Sequence, residues 1–142
     1  KGMSGICTLT SKKKKPFISE KEFFINYGFE VVDEIGDYEL LALQFETSEA
    51  PKFNDTARNM KIDNQDFTVY CSNECPYVEY EVQELSEYAK ENNIAINFIK
   101  IDSLEKAQNA PCIFNNWTNF YEGKFLSNTI LNVNSFKKLI NK

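Results

Sequence analysis

The sequence predicts a chain of mixed α/β class with α+β character. Short runs rich in β-branched and aromatic residues alternate with segments that place apolar residues at helical spacing. The clearest case is residues 67–71, a strand-like run ending in cysteine, followed by a long amphipathic segment that opens at Cys75 and Pro76. With 42% hydrophobic and 14% aromatic residues, the 142-residue chain has enough apolar material for one ordinary core or two small ones.

The first predicted piece, residues 1–49, has the order β-α-β-β. Residues 3–10 alternate as a strand, and Ser19 with Glu22 forms a capping box before an apolar stripe that ends at Gly28. Residues 29–35 and 38–45 then predict a hairpin that turns at Gly36-Asp37. The carboxylates around this hairpin are interpreted as solvated; they are Asp33, Glu34, Asp37 and Glu39.

Residues 50–65 predict a linker with a helical turn around positions 55–60, and residues 66–142 predict a second domain. Its expected elements are a strand at 67–71, a helix at 76–91, a strand at 94–101 and a short helix capped by Asp102-Ser103. A hairpin at 111–131 and a helix at 135–140 follow. Three aromatic residues of the hairpin are interpreted as core or hairpin packing: Trp117, Phe120 and Tyr121.

Charge and composition disfavour several classes of partner. The net charge is −5 and Arg58 is the single arginine, so we expect no nucleic-acid partner. The four lysines at 12–15 predict a solvated loop, with a nucleotide-phosphate contact as the alternative. No apolar run reaches the roughly 20 residues that cross a bilayer, and no signal segment is recognisable, so we expect no membrane partner and a cytoplasmic location.

The cysteines are the candidate reactive groups because the chain contains no histidine. Cys75 lies where a helix should begin, and unpaired N–H groups together with the helix dipole there favour the thiolate, so we expect a lowered pKa. Val78 occupies the position of the second sulfur in a Cys-x-x-Cys centre. Four cysteines without a secretory signal indicate thiols or redox residues and not a disulfide framework.

Three further residues accompany Cys75 in the predicted catalytic set. Cys71 is a candidate resolving thiol if the turn folds back. Pro111 is a candidate cis proline whose loop would place Cys112 beside the helix-start thiol. Three thiolates could hold a soft metal, but these cysteines lack the paired spacing of a zinc site, so no metal is predicted. Cys7 is interpreted as an inert core residue.

Two segments resemble known families. The start Lys1-Gly2-Met3-Ser4-Gly5-Ile6-Cys7, the capped helix and the run Phe23-Phe24-Ile25-Asn26-Tyr27-Gly28-Phe29 resemble the C-terminal half of a GNAT-superfamily acetyltransferase. The chain from Cys71 onward resembles the YoaP-like domain that follows some of these enzymes, and its element order is thioredoxin-like. The resemblance thus implies an incomplete GNAT-like β-α-β-β piece followed by a thioredoxin-like mixed-sheet domain.

The resemblance to acetyltransferases implies acetyl transfer from acetyl-CoA to a small-molecule or protein amine acceptor. The family holds the cofactor pyrophosphate with a glycine-rich turn at a helix N-terminus, and this sequence has no such turn. The family's tyrosine acid falls at Phe24, with Tyr27 as a stand-in. We therefore expect acetyl-CoA to serve a parent enzyme, an N-terminal half to be the missing partner, and this piece to be truncated and inactive alone.

Two alternatives come from other functional classes. The second domain could be a thiol module that handles a disulfide, an electrophile or a soft metal through Cys75, assisted by Cys71 or Cys112. It could also be a non-catalytic appendage that binds the acetyl acceptor or a partner protein. An incomplete first sheet would leave a strand edge unpaired, which predicts a possible homo-oligomer.

Overall fold

The computed structural model describes residues 2–16 and 18–140. The chain divides into two compact units, Lys1–Phe53 (unit 1) and Asn54–Lys142 (unit 2). Unit 1 combines one described helix with a sheet, unit 2 combines four with a second sheet, and the predicted α+β class is confirmed. None of the described helices is long and apolar enough to cross a membrane.

Unit 1 has the predicted order β-α-β-β. Its elements are β1 Gly5–Ser11, α1 Lys21–Ile25, β2 Glu30–Ile35 and β3 Tyr38–Gln44. The three strands form an antiparallel sheet with β3 in the centre, in the order β1-β3-β2. Gly36 begins the hairpin turn at a φ of 57°, a left-handed conformation that glycine adopts without steric cost.

The predicted capping box at the start of α1 is wrong. The N-cap residue is Glu20 and no side chain caps the helix. Ser19 lies one position too early, because a capping hydroxyl must stand at the N-cap itself to reach the N–H groups of the first turn. The predicted end is confirmed: Gly28 adopts a φ of 86° just after the helix, and its N–H donates to the Ile25 carbonyl at 3.0 Å.

Two expectations of burial in unit 1 are also wrong. Cys7 is exposed and not in the core. It lies on β1, which among the described strands pairs with β3 alone, so solvent reaches side chains along its unpaired edge. Glu39, interpreted as a solvated hairpin carboxylate, is 2% exposed. It lies on the central strand, where neighbours on both sides exclude water.

Unit 2 is built on a four-stranded mixed sheet. The strands are β4 Phe67–Cys71, β5 Ile96–Lys100, β6 Trp117–Tyr121 and β7 Lys124–Ser127, in the order β5-β4-β6-β7. β4 is parallel to β5 and antiparallel to β6. Helix α3, Pro76–Glu91, makes the connection that a parallel pair requires. Its bounds are those predicted, whereas β5, β6 and β7 are shorter than the expected strands.

The remaining helices of unit 2 are α2 Asp55–Asn59, α4 Leu104–Gln108 and α5 Val133–Ile140. The predicted cap of α4 is confirmed, since the Ser103 hydroxyl accepts from the Lys106 N–H. The helical turn predicted near positions 55–60 is α2. The chain after α2 follows the second sheet: the Ile62 N–H donates to the Gly123 carbonyl at 2.9 Å. Part of the expected linker is therefore integral to unit 2.

The core of unit 2 lies between the sheet and helices α3 and α5. Helix α3 contributes a buried stripe at helical spacing, namely Val78, Leu85 and Ala89. From the sheet, Trp117 is 1% exposed, and the Phe67 ring meets the Phe136 ring of α5 edge to face at 4.9 Å. This packing fixes the start of α3 against the end of β4, where the predicted reactive cysteines lie.

Candidate functional site

Cys75 is the N-cap residue of the 16-residue helix α3. Its backbone is extended, with φ −117° and ψ 127°, and its carbonyl accepts from the Val78 N–H at 3.1 Å. Pro76 occupies the first turn, where a missing N–H removes no helical hydrogen bond. The Cys75 side chain makes no capping hydrogen bond. The thiol thus stands at a helix N-terminus, as the sequence predicts, and its role as a nucleophile remains a prediction.

The turn that carries Cys75 is joined to the loop before β6. The Ser72 N–H donates to the Asn116 carbonyl at 3.1 Å, and the Asn115 amide donates to the Glu74 carboxylate at 3.1 Å. Cys75 itself is half-buried and packs against the unit 2 core. These two loops and the helix start form the candidate thiol site.

Two buried polar atoms in the candidate thiol site have no hydrogen-bond partner among the described residues. They are the Ser72 hydroxyl oxygen and the Asn116 side-chain carbonyl oxygen. Buried polar groups are normally paired, so atoms of this kind mark places where a water or a ligand completes the structure. No pattern in the sequence marked either residue, because single serines and asparagines are common in loops.

The other two predicted thiols are buried. Cys71 and Cys112 are each 5% exposed, and burial raises the pKa of both thiols. For Cys71, nearby Lys100 opposes the rise; for Cys112, hydrogen bonds with Thr118 and Phe114 oppose it. Both residues are therefore protonated thiols at neutral pH. All four cysteines are free.

The predicted geometry around Pro111 is wrong in one respect. No peptide bond in the described ranges is cis, so the bond before Pro111 is trans, the lower-energy form. Cys112 Sγ contacts the Phe114 carbonyl oxygen and the Thr118 hydroxyl, each at 3.1 Å. Nowhere in residues 2–16 and 18–140 do three or more metal-ligating side chains cluster, so the soft-metal alternative finds no site among these cysteines.

A second candidate site is a cavity of about 300 Å³ in unit 1, lined by the lysine loop and α1. Lys12, Lys13 and Lys14 are exposed, and each has an ion-pair partner. Lys12 pairs with Glu34, Lys13 with Asp37 at 2.9 Å, and Lys14 with Glu20 at 3.3 Å. Lys15 is half-buried and its Nζ lies over the Tyr38 ring. The hydrogen bond from Lys13 lowers the pKa of Asp37. The predicted solvated loop is thus also ion-paired.

Glu39 lines the same cavity from the central strand. Its Oε1 accepts a hydrogen bond from Lys21 Nζ at 2.7 Å, and this bond raises the pKa of Lys21. Its Oε2 is buried without a partner among the described residues. No pattern in the sequence marked Glu39, because alternation around a hairpin does not reveal which carboxylate lies on a central strand.

Phe24, where the GNAT resemblance would place a tyrosine acid, and its stand-in Tyr27 occupy different surroundings. Phe24 packs its ring against Phe29 at 5.4 Å between centroids. Tyr27 is 68% exposed, with its ring 5.2 Å from that of Phe23. Only the Tyr27 hydroxyl of this pair can donate a proton to a ligand.

Comparison with known proteins finds two similarities. Residues 95–138 match the family model described as YoaP-like. The chain is also 32% identical over 142 residues to an uncharacterized N-acetyltransferase, YoaP, of Bacillus subtilis (strain 168). That match covers 99% of this chain, and the chain spans 57% of the relative's length. No solved structure matches the chain.

These similarities refine the expectations from the sequence. The chain resembles an N-acetyltransferase along nearly its whole length, and part of unit 2 is YoaP-like. The comparisons lend no support to a truncated, inactive piece, and they identify no thioredoxin-like domain.

Proposed function

We propose that this chain serves acetyl transfer from acetyl-CoA to an amine acceptor. The observation that carries the proposal is the 32% identity to an N-acetyltransferase across 99% of the chain. The β-α-β-β order of unit 1, with α1 ending at Gly28 before the β2–β3 hairpin, is compatible with the GNAT-like resemblance.

The described residues do not fit the family's way of holding the cofactor. None of the five described helices follows a glycine-rich turn; the chain's glycines are Gly2, Gly5, Gly28, Gly36 and Gly123. A helix N-terminus with such a turn is what grips a pyrophosphate. The proposal therefore assigns no residue of this chain to the cofactor phosphates.

Formation of an acetylated amine by the purified chain tests the proposal. The purified chain is incubated with acetyl-CoA and a panel of small amines and lysine peptides, and products are identified by mass spectrometry. We expect product only when chain, acetyl-CoA and amine are all present. The absence of product with every amine, together with the absence of saturable acetyl-CoA binding in calorimetry, would reject the proposal for this chain.

Tyr27 is the proposed proton donor within this activity, because its exposed hydroxyl lies one turn from Phe24. General acid catalysis contributes about a hundredfold or more to rate. Tyr27→Phe should lower kcat by that order and leave the fold unchanged. Tyr121→Phe is the matched control, since Tyr121 is a half-exposed tyrosine of unit 2. Equal rates for the two variants would exclude Tyr27 as the acid.

A thiol module in unit 2 is the second candidate function. It is supported by Cys75 at the start of a 16-residue helix and by the unpartnered Ser72 and Asn116 oxygens in the adjoining loops. The strand order β5-β4-β6-β7, with α3 as the crossover, supports a thioredoxin-like arrangement. The resolving thiol in this proposal is Cys71, which belongs to the core cluster that Cys75 contacts.

The rate of iodoacetamide labelling at neutral pH tests the thiol module. The proposal expects Cys75 to react faster than Cys7, an exposed thiol that does not lie at a helix start. A rate for Cys75 no higher than that of Cys7 would remove the case for an activated thiol. Cys75→Ser separates the thiol module from a non-catalytic appendage. The thiol module predicts that this variant loses disulfide exchange, whereas a non-catalytic appendage predicts that the substitution changes neither acetylation nor disulfide exchange.

A further inference from the structure

The cavity of about 300 Å³ in unit 1 is lined by one buried carboxylate, Glu39, and by several lysine ammonium groups. We propose that it binds a small zwitterion, a molecule with a primary amine at one end and a carboxylate at the other. The amine would lie against Glu39 and the carboxylate among the lysines at 12–15. The site requires only binding, so it goes beyond acetyl transfer and does not depend on it.

Glu39 provides the acceptor for the amine. It is 2% exposed on the central strand β3, and Lys21 Nζ occupies only its Oε1. Its Oε2 has no hydrogen-bond partner in the described part of the chain. A carboxylate offers about four lone-pair positions, so this oxygen can accept N–H donors from a ligand.

Thr10 places a second unpartnered oxygen beside Glu39. The two residues lie directly opposite each other in the β1–β3 register, so their side chains share one face of the sheet. Thr10 is fully buried, and its Oγ1 likewise has no partner within residues 2–16 and 18–140. Thr10 does not line the cavity, so the ligand ammonium is assigned to Glu39 and not to Thr10.

The lysine loop supplies the other end of the site. The side chains of Lys13 and Lys14 are 72% and 88% exposed, and each has a single exposed carboxylate partner, Asp37 and Glu20 respectively. Exposed ion pairs of this kind contribute little to stability. A ligand carboxylate can therefore replace these partners at small cost.

The distribution of charge selects a zwitterion over ions of one sign. Five lysines line the cavity, namely Lys12, Lys13, Lys14, Lys15 and Lys21, and they repel a simple cation. The lining carboxylates, Glu20, Glu22 and Glu39, repel a polyanion. The volume lies at the lower end of the roughly 300–1,000 Å³ typical of small-molecule sites, which suits a molecule of amino-acid size.

A titration monitored by amide chemical shifts tests the site in the whole 142-residue chain without acetyl-CoA. The probes are ω-amino acids from glycine to 6-aminohexanoate, with butylamine and butanoate as single-charge controls. We expect one member of the series to shift the amides of Glu39, Lys21 and the lysine loop. Its affinity should exceed that of butylamine or butanoate by about tenfold or more. If no member shifts these amides, or if butylamine or butanoate binds as tightly, the proposal is wrong.

Variants separate the two ends of the site. Glu39→Gln should weaken the best zwitterion by about tenfold or more, because the amide cannot accept as an anion. Lys14→Gln changes an exposed side chain, so it should fold normally and weaken the same zwitterion by about two- to fivefold. Glu49→Gln, at an exposed ion pair with Lys52, is the matched control and should leave binding unchanged. If Lys14→Gln has no effect beyond that of Glu49→Gln, the lysine loop does not bind the carboxylate and the proposal fails.

Discussion

Cys112 Sγ lies 3.1 Å from the Thr118 hydroxyl oxygen, and both residues are buried. The Thr118 hydroxyl also donates to the Phe114 carbonyl at 2.9 Å, so the sulfur belongs to a local network that joins the loop before β6 to β6 itself. Cys75, by contrast, stands half-buried at the start of α3. Two cysteines that the sequence assigns to one site therefore have different access to solvent.

This difference predicts the order in which the thiols react. Cys75 and the exposed Cys7 should be alkylated by iodoacetamide under native conditions, whereas Cys71 and Cys112 should require unfolding. The reason is that a reactive thiol must be both accessible and ionised, and burial opposes both for the latter pair. Peptide mapping after timed labelling measures the rates, and Cys7→Ser simplifies the mixture. Labelling of Cys112 at the rate of Cys75 would contradict the structure.

The buried thiols also predict a loss of stability at alkaline pH. Burial raises the pKa of the Cys112 thiol above its ordinary value in the folded state. A raised folded pKa means that the folded chain holds its proton at a pH where the unfolded chain releases it. The free energy of unfolding is then unaffected below the unfolded pKa and falls as pH rises through the folded pKa. Cys71 and Tyr70, whose pKa values burial also raises, act in the same direction.

Urea unfolding between about pH 8 and about pH 10 measures this effect. Trp117 is the single tryptophan and reports on unit 2 by fluorescence. Cys112→Ala should make the decline with pH shallower than in the unchanged chain, although it removes buried side-chain volume. Cys7→Ala, which removes an exposed thiol, should leave the slope unchanged. An identical slope in all three proteins would mean that Cys112 does not titrate as described.

The N-cap of α4 gives a prediction about the stability of unit 2. Ser103 accepts from the Lys106 N–H at 3.2 Å, so Ser103→Ala should lower the stability of unit 2 by about 1 kcal/mol. Ser86→Ala is the matched control, because the Ser86 hydroxyl only donates to a carbonyl within α3. Urea unfolding followed by Trp117 fluorescence compares the two. Equal losses in both variants would indicate that the α4 cap contributes no stability of its own.

The sequence predicted best those features that depend on a few neighbouring residues. The bounds of α3 follow from Pro76 in the first turn and from apolar residues at helical spacing. The α4 cap and the hairpin turn at Gly36 likewise depend on a few adjacent residues. One error was local, because Ser19 lies one position before the N-cap of α1. The errors about burial arose where tertiary position decides. Whether Cys7 is exposed depends on which strands flank β1, and that order cannot be read from alternation alone.

The candidate sites show the same division. The sequence placed Cys75 at a helix start because the signal, Cys followed by Pro and an amphipathic segment, is local. It missed Glu39, since burial of this carboxylate results from β1 and β2 pairing on both sides of β3. It also missed Ser72 and Asn116, which meet only when two loops far apart in sequence lie side by side.

Asn119 is the residue whose replacement should destabilise unit 2 most clearly. Its side chain is fully buried, accepts from the Trp117 indole N–H at 2.8 Å and donates to the Ser127 hydroxyl and the Thr129 carbonyl, each at 2.9 Å. Asn119→Ala removes these bonds and leaves the buried indole donor without a partner, so we expect the free energy of unfolding to fall by about 2–4 kcal/mol.

Asn115→Ala is the control, because this exposed amide makes one bond to Glu74 and its loss should cost less than about 1 kcal/mol. Urea unfolding with Trp117 fluorescence measures both; similar stabilities of the two variants would show that the Asn119 network is replaced by water without cost.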